Sequence, residues 1–258
     1  MSEQADAGMS ALADTPAPSE GPAEPPRTHR WGFGAFLTSF ATLVLAAVLI
    51  GAFAGIDAPG ARIPVSIAVI GTVVPPLLAA GVAILFTIRR GNGPKLDLRW
   101  SMRWEDVRVG IRFGLIGLVC TTVAAFLWTK VVGEEKASSA LGRLVEDQRL
   151  PLTAAIAMFL FIWLIGPICE EIIYRGLLWG ALERLNWGRW VVFGLTTVIF
   201  AVSHLEPLRT SLLLVIGIPI GLARLVTGRL GASIVTHQIN NFLPALAVLL
   251  MGFGVMPA

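Results

Sequence analysis

The sequence predicts an all-α protein, a polytopic transmembrane helical bundle, and three observations carry that expectation. Hydrophobic residues make up 55% of the 258 positions and charged residues only 14%, where a soluble domain carries about 25% charged residues. Mean hydropathy is +0.75. The apolar residues are also gathered into runs close to the ~20 positions that a helix needs to cross a bilayer.

The first thirty residues stand apart. They hold five prolines and five acidic residues with almost no branched or aromatic apolar content. Such a segment buries too little surface to offset its ordering entropy, so residues 1–30 read as a disordered cytoplasmic tail and 31–258 as the transmembrane helical domain. No basic start leads directly into an apolar core, so the tail is not a signal peptide, and the first span is expected to remain as an anchor.

Apolar windows follow at 33–56, 64–88, 108–132, 151–184, 189–206, 209–226 and 230–254, which gives seven spans. The fourth is too long for a simple crossing. Its 34 positions would rise about 50 Å against ~30 Å of hydrocarbon. It is either one long tilted helix or a span followed by an interfacial helix, and the second option allows eight segments. The mixed-charge loop 133–150 is expected to form a short helix on the outer face. Pro75-Pro76 and Pro219 interrupt the second and sixth spans, which is tolerated at depth where protein or a water-lined cavity satisfies the freed backbone.

Orientation follows from the basic residues. With the N-terminus inside, that side collects Arg27, Arg30, six residues of 89–108, Arg175, Arg184, Arg189, Arg224 and Arg229, thirteen in all, against five on the other side. The N-terminus is therefore expected in the cytoplasm and the protein in the cell membrane. Cys120 and Cys169 lie in apolar spans and are expected to be small buried thiols, and His29 in the tail is expected to be solvated.

The ionisable residues inside the spans sit almost entirely in the second half: Glu170, Glu171, Arg175, His204 and His237, with amides at Gln238, Asn240 and Asn241. Glu171 and Arg175 are four apart, share a helix face and can pair. Glu170 is rotated from Glu171 by about 100°, so it is left to face a cavity. A purely structural ionic staple needs one carboxylate and leaves the second unexplained. His204 shares a face with Phe200, and His237 shares one with Asn241. Either pair taken alone also suits helix-to-helix bonding. Together, carboxylate, imidazoles and carboxamide on three spans are an inventory for acid–base chemistry with oxyanion stabilisation. Counting from the cytoplasmic ends puts Glu170 and His204 both about 20 Å deep and His237 about 10 Å shallower. Either the last helix begins below the surface or the fourth is not straight.

The ordered set EExxxR (Glu170–Arg175), FxxxH (Phe200–His204) and HxxxN (His237–Asn241) resembles the CPBP intramembrane protease family, which includes CaaX prenyl endopeptidases, bacteriocin-processing enzymes and bacterial immunity proteins. The resemblance covers about 150–245. It implies an intramembrane endopeptidase in which Glu170, assisted by His204, activates water and His237 and Asn241 stabilise the oxyanion. Glu171 and Arg175 would build the site, with Glu171 available to the acid–base work. The family is usually described as metalloproteases. Glu170, His204 and His237 with a water are a donor set that could take zinc, and a glutamate–histidine pair can also activate water without metal. A peptide or membrane-protein substrate and the lipid bilayer are the expected partners, and nucleic acid is not.

Other intramembrane protease chemistries find no footing. There is no HExxH helix, no aspartate falls within a predicted span, and Ser233 lies on the same helix as His237 without a GxSG motif. Two readings of other classes remain at this level. One is a non-catalytic membrane scaffold or bacteriocin-immunity protein that keeps the motifs for packing. The other is a proton-coupled transporter, which inverted repeats would favour, and the sequence shows none.

Overall fold

The computed structural model describes residues 29–54, 63–133 and 150–253. The expectations for the tail and for the 133–150 loop fall almost wholly outside the described residues. Seven long helices run through the rest: α1 (Phe33–Phe53), α2 (Val65–Arg90), α3 (Trp104–Val132), α4 (Leu152–Glu183), α5 (Arg189–Ser203), α6 (Thr210–Thr227) and α7 (Leu230–Gly252). A single helical turn at Pro94–Asp97 and a 3-10 turn at Pro207–Arg209 complete the fold, and no β-strand occurs among the described residues.

Six of the seven are long and apolar enough to cross a membrane. α5 is the exception and corrects the seven-span expectation. Its fifteen residues rise only about 22 Å, short of the ~30 Å hydrocarbon thickness. It ends where Leu205 takes a left-handed backbone (φ 54°), which a bulky residue adopts only at a cost and which a hydropathy window cannot register. The eight-segment option falls as well, because α4 is continuous.

α4 is not regular. It passes from α-helix (Leu152–Leu160) into π-helix (Phe161–Ile165), back to α-helix (Gly166–Glu171), into a second π stretch (Ile172–Leu178) and out through Trp179–Glu183. The first π stretch has a cause in the sequence. Pro167 has no N–H, and its ring crowds the preceding turn, so the backbone widens just before it. Every residue from Glu171 to Leu182 is buried, which makes this half of α4 the central column of the bundle. Apolar side chains on all sides of a helix fit such a place. Its neighbours in the main core include Phe36 of α1, Ala79 and Ala83 of α2, Phe200 of α5 and Ile234 of α7.

α7 packs most closely on α3, and glycines permit it. A Cβ at Gly110 would lie 2.5 Å from Val235, one at Gly114 2.8 Å from Ile239, and one at Gly117 2.7 Å from the Asn240 amide. This is the small-residue seam by which membrane helices approach without a hydrophobic drive between them. The start of α7 is tied inward. Gly228 takes a left-handed conformation (φ 67°) and closes α6, and Arg229 then reaches back to Asp106 at 2.8 Å and to Glu105 at 2.8 Å. The Leu230 N–H donates to the Arg99 carbonyl at 3.1 Å, and Leu230 itself is buried. The start of the last helix is thereby tied to the loop that precedes α3.

Two smaller expectations are corrected. Cys120 is exposed on α3, while Cys169 is buried as expected. His29 is not simply solvated. Its ring stacks on Trp31 at 4.0 Å, and Arg184 donates to the carbonyls of both residues. Trp31, almost wholly buried, donates to Asp97 at 2.8 Å, so the segment entering α1 is clasped at the same end of the bundle.

Candidate active site

Glu171 is the fixed point. Its Oε1 accepts from Arg175 Nη1 at 3.0 Å and is 3.0 Å from His237 Nδ1, and all three side chains are buried. The i,i+4 spacing brings Arg175 onto the face of Glu171. Arg175 then reaches further, donating from Nη2 to the Gly217 carbonyl of α6 at 3.2 Å and lying 4.5 Å over the Phe200 ring. The second π stretch surrounds Arg175 and leaves its own carbonyl to accept Arg224 Nε at 3.0 Å. A guanidinium at this depth is held by a carboxylate, a carbonyl and an aromatic face, as a buried charge requires.

Because a carboxylate oxygen only accepts, His237 Nδ1 carries the hydrogen of its bond to Glu171. The other nitrogen, Nε2, faces Glu170 Oε2 at 3.6 Å. One imidazole thus stands between the two adjacent glutamates. Glu171 is sealed, whereas the Glu170 side chain keeps 26% of its surface exposed.

Glu170 opens onto a cavity of about 330 Å³ that it shares with Tyr174 of α4 and with Ser203, His204 and Leu205 at the end of α5. The facing wall is apolar, made by Leu43, Val44, Ala47 and Val48 of α1 and Pro76 of α2. His204 Nδ1 lies 2.7 Å from the Phe200 carbonyl. A carbonyl cannot donate, so this bond puts the hydrogen on Nδ1 and leaves Nε2 with its lone pair. The early end of α5 is what places His204 at the cavity. Phe200 organises the surroundings: its ring meets Tyr174 edge-on at 5.3 Å, His204 at 4.7 Å and His237 at 5.7 Å.

The structure thus brings Glu170 and His204 to one cavity and sets Glu171, Arg175 and His237 behind Glu170. Asn241, which the resemblance gives a role at the oxyanion with His237, is turned to the backbone of α4. Its amide donates to the Ile162 carbonyl at 3.2 Å, and neither Asn241 nor His237 lines the cavity. The π ladder explains the partner. Gly166 N–H bonds to Phe161, five residues back, so the next rung would run from position 167 to Ile162, and Pro167 has no N–H to give. Asn241 fills that vacant bond, and Gln238, one turn earlier on α7, donates to the Leu164 carbonyl at 3.2 Å. Asn240 is buried and bonded to Thr236 and Thr121, in keeping with a packing role. Tyr174 and Ser203 are site residues that motif reading passed over. Their only sequence signal is proximity, because Tyr174 is four residues from Glu170 and Ser203 adjoins His204.

The zinc trio Glu170, His204 and His237 does not meet the geometric condition for a metal centre. Among the described residues no three His, Cys, Asp or Glu side chains are grouped to hold a metal ion. His237 turns both nitrogens toward glutamates.

Residues 152–243 match the family described as type II CAAX prenyl endopeptidase Rce1-like, and this stretch contains all three motifs. Over 175 residues the chain is 27% identical to the membrane-embedded CAAX protease MroQ of Staphylococcus aureus (strain USA300), an alignment that covers 64% of this chain and 68% of that protein. No solved structure matches the chain. Six apolar helices and these matches make it a multi-pass membrane protein whose residues 152–243 are similar to the Rce1-like CAAX prenyl endopeptidases.

Proposed function

We propose that this protein is an intramembrane endopeptidase that hydrolyses a peptide bond with water activated by Glu170 and His204. The observation that carries the reading is the shared cavity. A partly exposed carboxylate and an imidazole with a free Nε2 lone pair line the same space, while the neighbouring carboxylate is locked by Arg175 and His237. Water between Glu170 and His204 has two acceptors for its protons, the arrangement that general-base catalysis needs. Glu171, Arg175 and His237 hold the base in place, and Asn241 bonds the π-helical backbone of α4 two turns before Glu170. The apolar wall from α1 and α2 suits a peptide or membrane-protein substrate that arrives through lipid.

The N-terminus is assigned to the cytoplasm. Arg30, Arg90, Arg99, Arg184 and Arg229 are drawn together at one end of the bundle by the contacts of the entry to α1, the 91–103 loop and the start of α7. A basic cluster of this kind favours the cytoplasmic face of a cell membrane.

Glu170→Ala and His204→Ala are the test. Each is expected to lower cleavage by about 10²–10⁴-fold, the usual weight of a general base, with membrane levels unchanged. Wild-type rates in either variant would refute the mechanism. Zinc analysis of the purified protein is the companion measurement, since a stoichiometric metal required for cleavage would replace this proton route. The alternative, a non-catalytic scaffold or immunity protein, has one observation in its favour: Asn241 acts on the backbone of α4 and not on the cavity. On that reading both alanine variants leave the products of membrane proteolysis unchanged.

A further inference from the structure

Two adjacent prolines, Pro75 and Pro76, lie within α2, which stays helical through both. Neither has an N–H to give. The carbonyls of Gly71 and Thr72, four residues back, therefore lose their helix donors, and each proline ring crowds the carbonyl it has released. At membrane depth such a group needs a partner from protein or from a water-lined cavity. The hydroxyls on this part of α1 and α2 are spent on other carbonyls. Thr72 Oγ1 donates to Ala68 at 2.8 Å, and Ser39 Oγ of α1 donates to Ala79 at 2.8 Å.

The two prolines face different ways. Pro75 is buried, whereas Pro76 lines the cavity on the wall that faces Glu170 and His204. Positions four apart share a helix face, so the Thr72 carbonyl opens beside the Pro76 ring and the Gly71 carbonyl lies on the buried side with Pro75. The rest of that wall, Leu43, Val44, Ala47 and Val48 of α1, has no polar side chain. A peptide bond presented to Glu170 and His204 is out of its helix, so the N–H groups around it need acceptors in a space with little water. The peptide unit is planar and trans. A segment that turns a carbonyl toward the polar wall therefore turns the N–H of that unit the other way, toward α2.

We propose that the Thr72 carbonyl, opened by Pro76, is a docking site for the substrate backbone, where it accepts an N–H of the extended peptide across the cavity from Glu170; this rests on the endopeptidase reading. The ligand class is an unwound peptide main chain, whatever its side chains, because the contact is a backbone-to-backbone hydrogen bond. The site lies in α2, outside the stretch 152–243 that carries the three motifs. The bond forms when the peptide enters and is kept while the peptide bond is cut, so it contributes to binding and not to the rate of the chemical step.

The experiment takes its substrates from membranes of cells that carry wild-type or Glu170→Ala protein. Peptide termini present in the first and absent in the second mark the cleavage sites. A quenched peptide built on one such site then gives kcat and KM for purified wild type, Pro76→Ala and Pro75→Ala. Pro76→Ala returns an N–H to the Thr72 carbonyl. It is expected to raise KM about 3–10-fold, the net weight of one hydrogen bond, with kcat near wild type. Pro75→Ala closes the Gly71 carbonyl instead and is expected to leave both constants unchanged. Peptides N-methylated at one residue at a time on either side of the scissile bond separate the lost bond from a change in the shape of α2. One of these methyl groups is expected to raise the wild-type KM by a similar factor and to add little in Pro76→Ala. A Pro76→Ala KM that matches wild type or Pro75→Ala, or an N-methyl effect equal in wild type and Pro76→Ala at every position, overturns the proposal while leaving the peptidase reading intact. A set of termini that Glu170→Ala does not change overturns both.

Discussion

The Glu171–Arg175 pair can be tested apart from catalysis. Both side chains are wholly buried and 3.0 Å apart. Removing one member of a buried pair leaves the other charge uncompensated, at a cost of about 3–5 kcal/mol. Arg175→Met adds the loss of the bond to the Gly217 carbonyl, and Glu171→Met adds the loss of the acceptor for His237 Nδ1, about 1 kcal/mol in each case. Each single variant should therefore destabilise by roughly 4–6 kcal/mol, and independent effects would sum to roughly 8–12 kcal/mol in the double variant. The double variant removes both charges together and leaves only the two orphaned partners, so its expected cost is about 2 kcal/mol.

The measurement is reversible unfolding in mixed micelles at fixed detergent composition, followed by tryptophan fluorescence. Trp179 is a suitable reporter because it is buried beneath Arg224, 5.2 Å from the guanidinium. A double variant less stable than either single one would refute the reasoning, as would singles that each cost under about 1 kcal/mol, the range of an exposed pair.

Two further outcomes follow from the backbone and the packing seam. Asn241→Ala should cost about 1–3 kcal/mol by leaving the Ile162 carbonyl unpaired, and the cost should shrink when Pro167→Ala restores an N–H to the ladder; equal costs in both backgrounds, read by the same unfolding assay, would refute the link. Gly114→Ala should destabilise by about 1–3 kcal/mol, because its Cβ would meet Ile239 at 2.8 Å, whereas Gly81→Ala in α2, with open space around it, should be neutral or stabilise by up to about 1 kcal/mol.

Much of the scaffold was legible because hydropathy reports directly on lipid-facing length. The windows 64–88 and 230–254 fall within two residues of α2 (Val65–Arg90) and α7 (Leu230–Gly252). The window 189–206 overran α5 because Leu205 is apolar, while what ends the helix there is a backbone angle. The separation of Glu170 from Glu171 was legible from helical rotation, and so was the pairing of Glu171 with Arg175. His237 between the two glutamates was not, since its depth depends on Arg229 gripping Asp106 from 123 residues away. The partner of Asn241 was also hidden. The signal existed in Pro167, but reading it requires knowing that the helix before the proline is π-helical.

The adjacency of Glu170 and Glu171 has a physical sense once His237 is placed. An imidazole has two nitrogens on opposite sides of its ring, and here they look toward two carboxylates of the same helix. The bond at Nδ1 is dry and shared with Arg175, so it sets the hydrogen position and the ring plane. With the ring plane set, Nε2 has one direction left, toward Glu170, and whatever charge Glu170 carries is met by a nitrogen that cannot turn away. At 3.6 Å that nitrogen is beyond a good hydrogen bond and within ion-pair range. Glu170 is thereby steadied without having its proton-accepting oxygens fully occupied. A single glutamate could not serve both ends: tied to Arg175 it would be too well satisfied to act as a base, and untied it would leave a buried guanidinium without a counter-charge. Two carboxylates about 100° apart on one helix, joined through one ring, divide those demands.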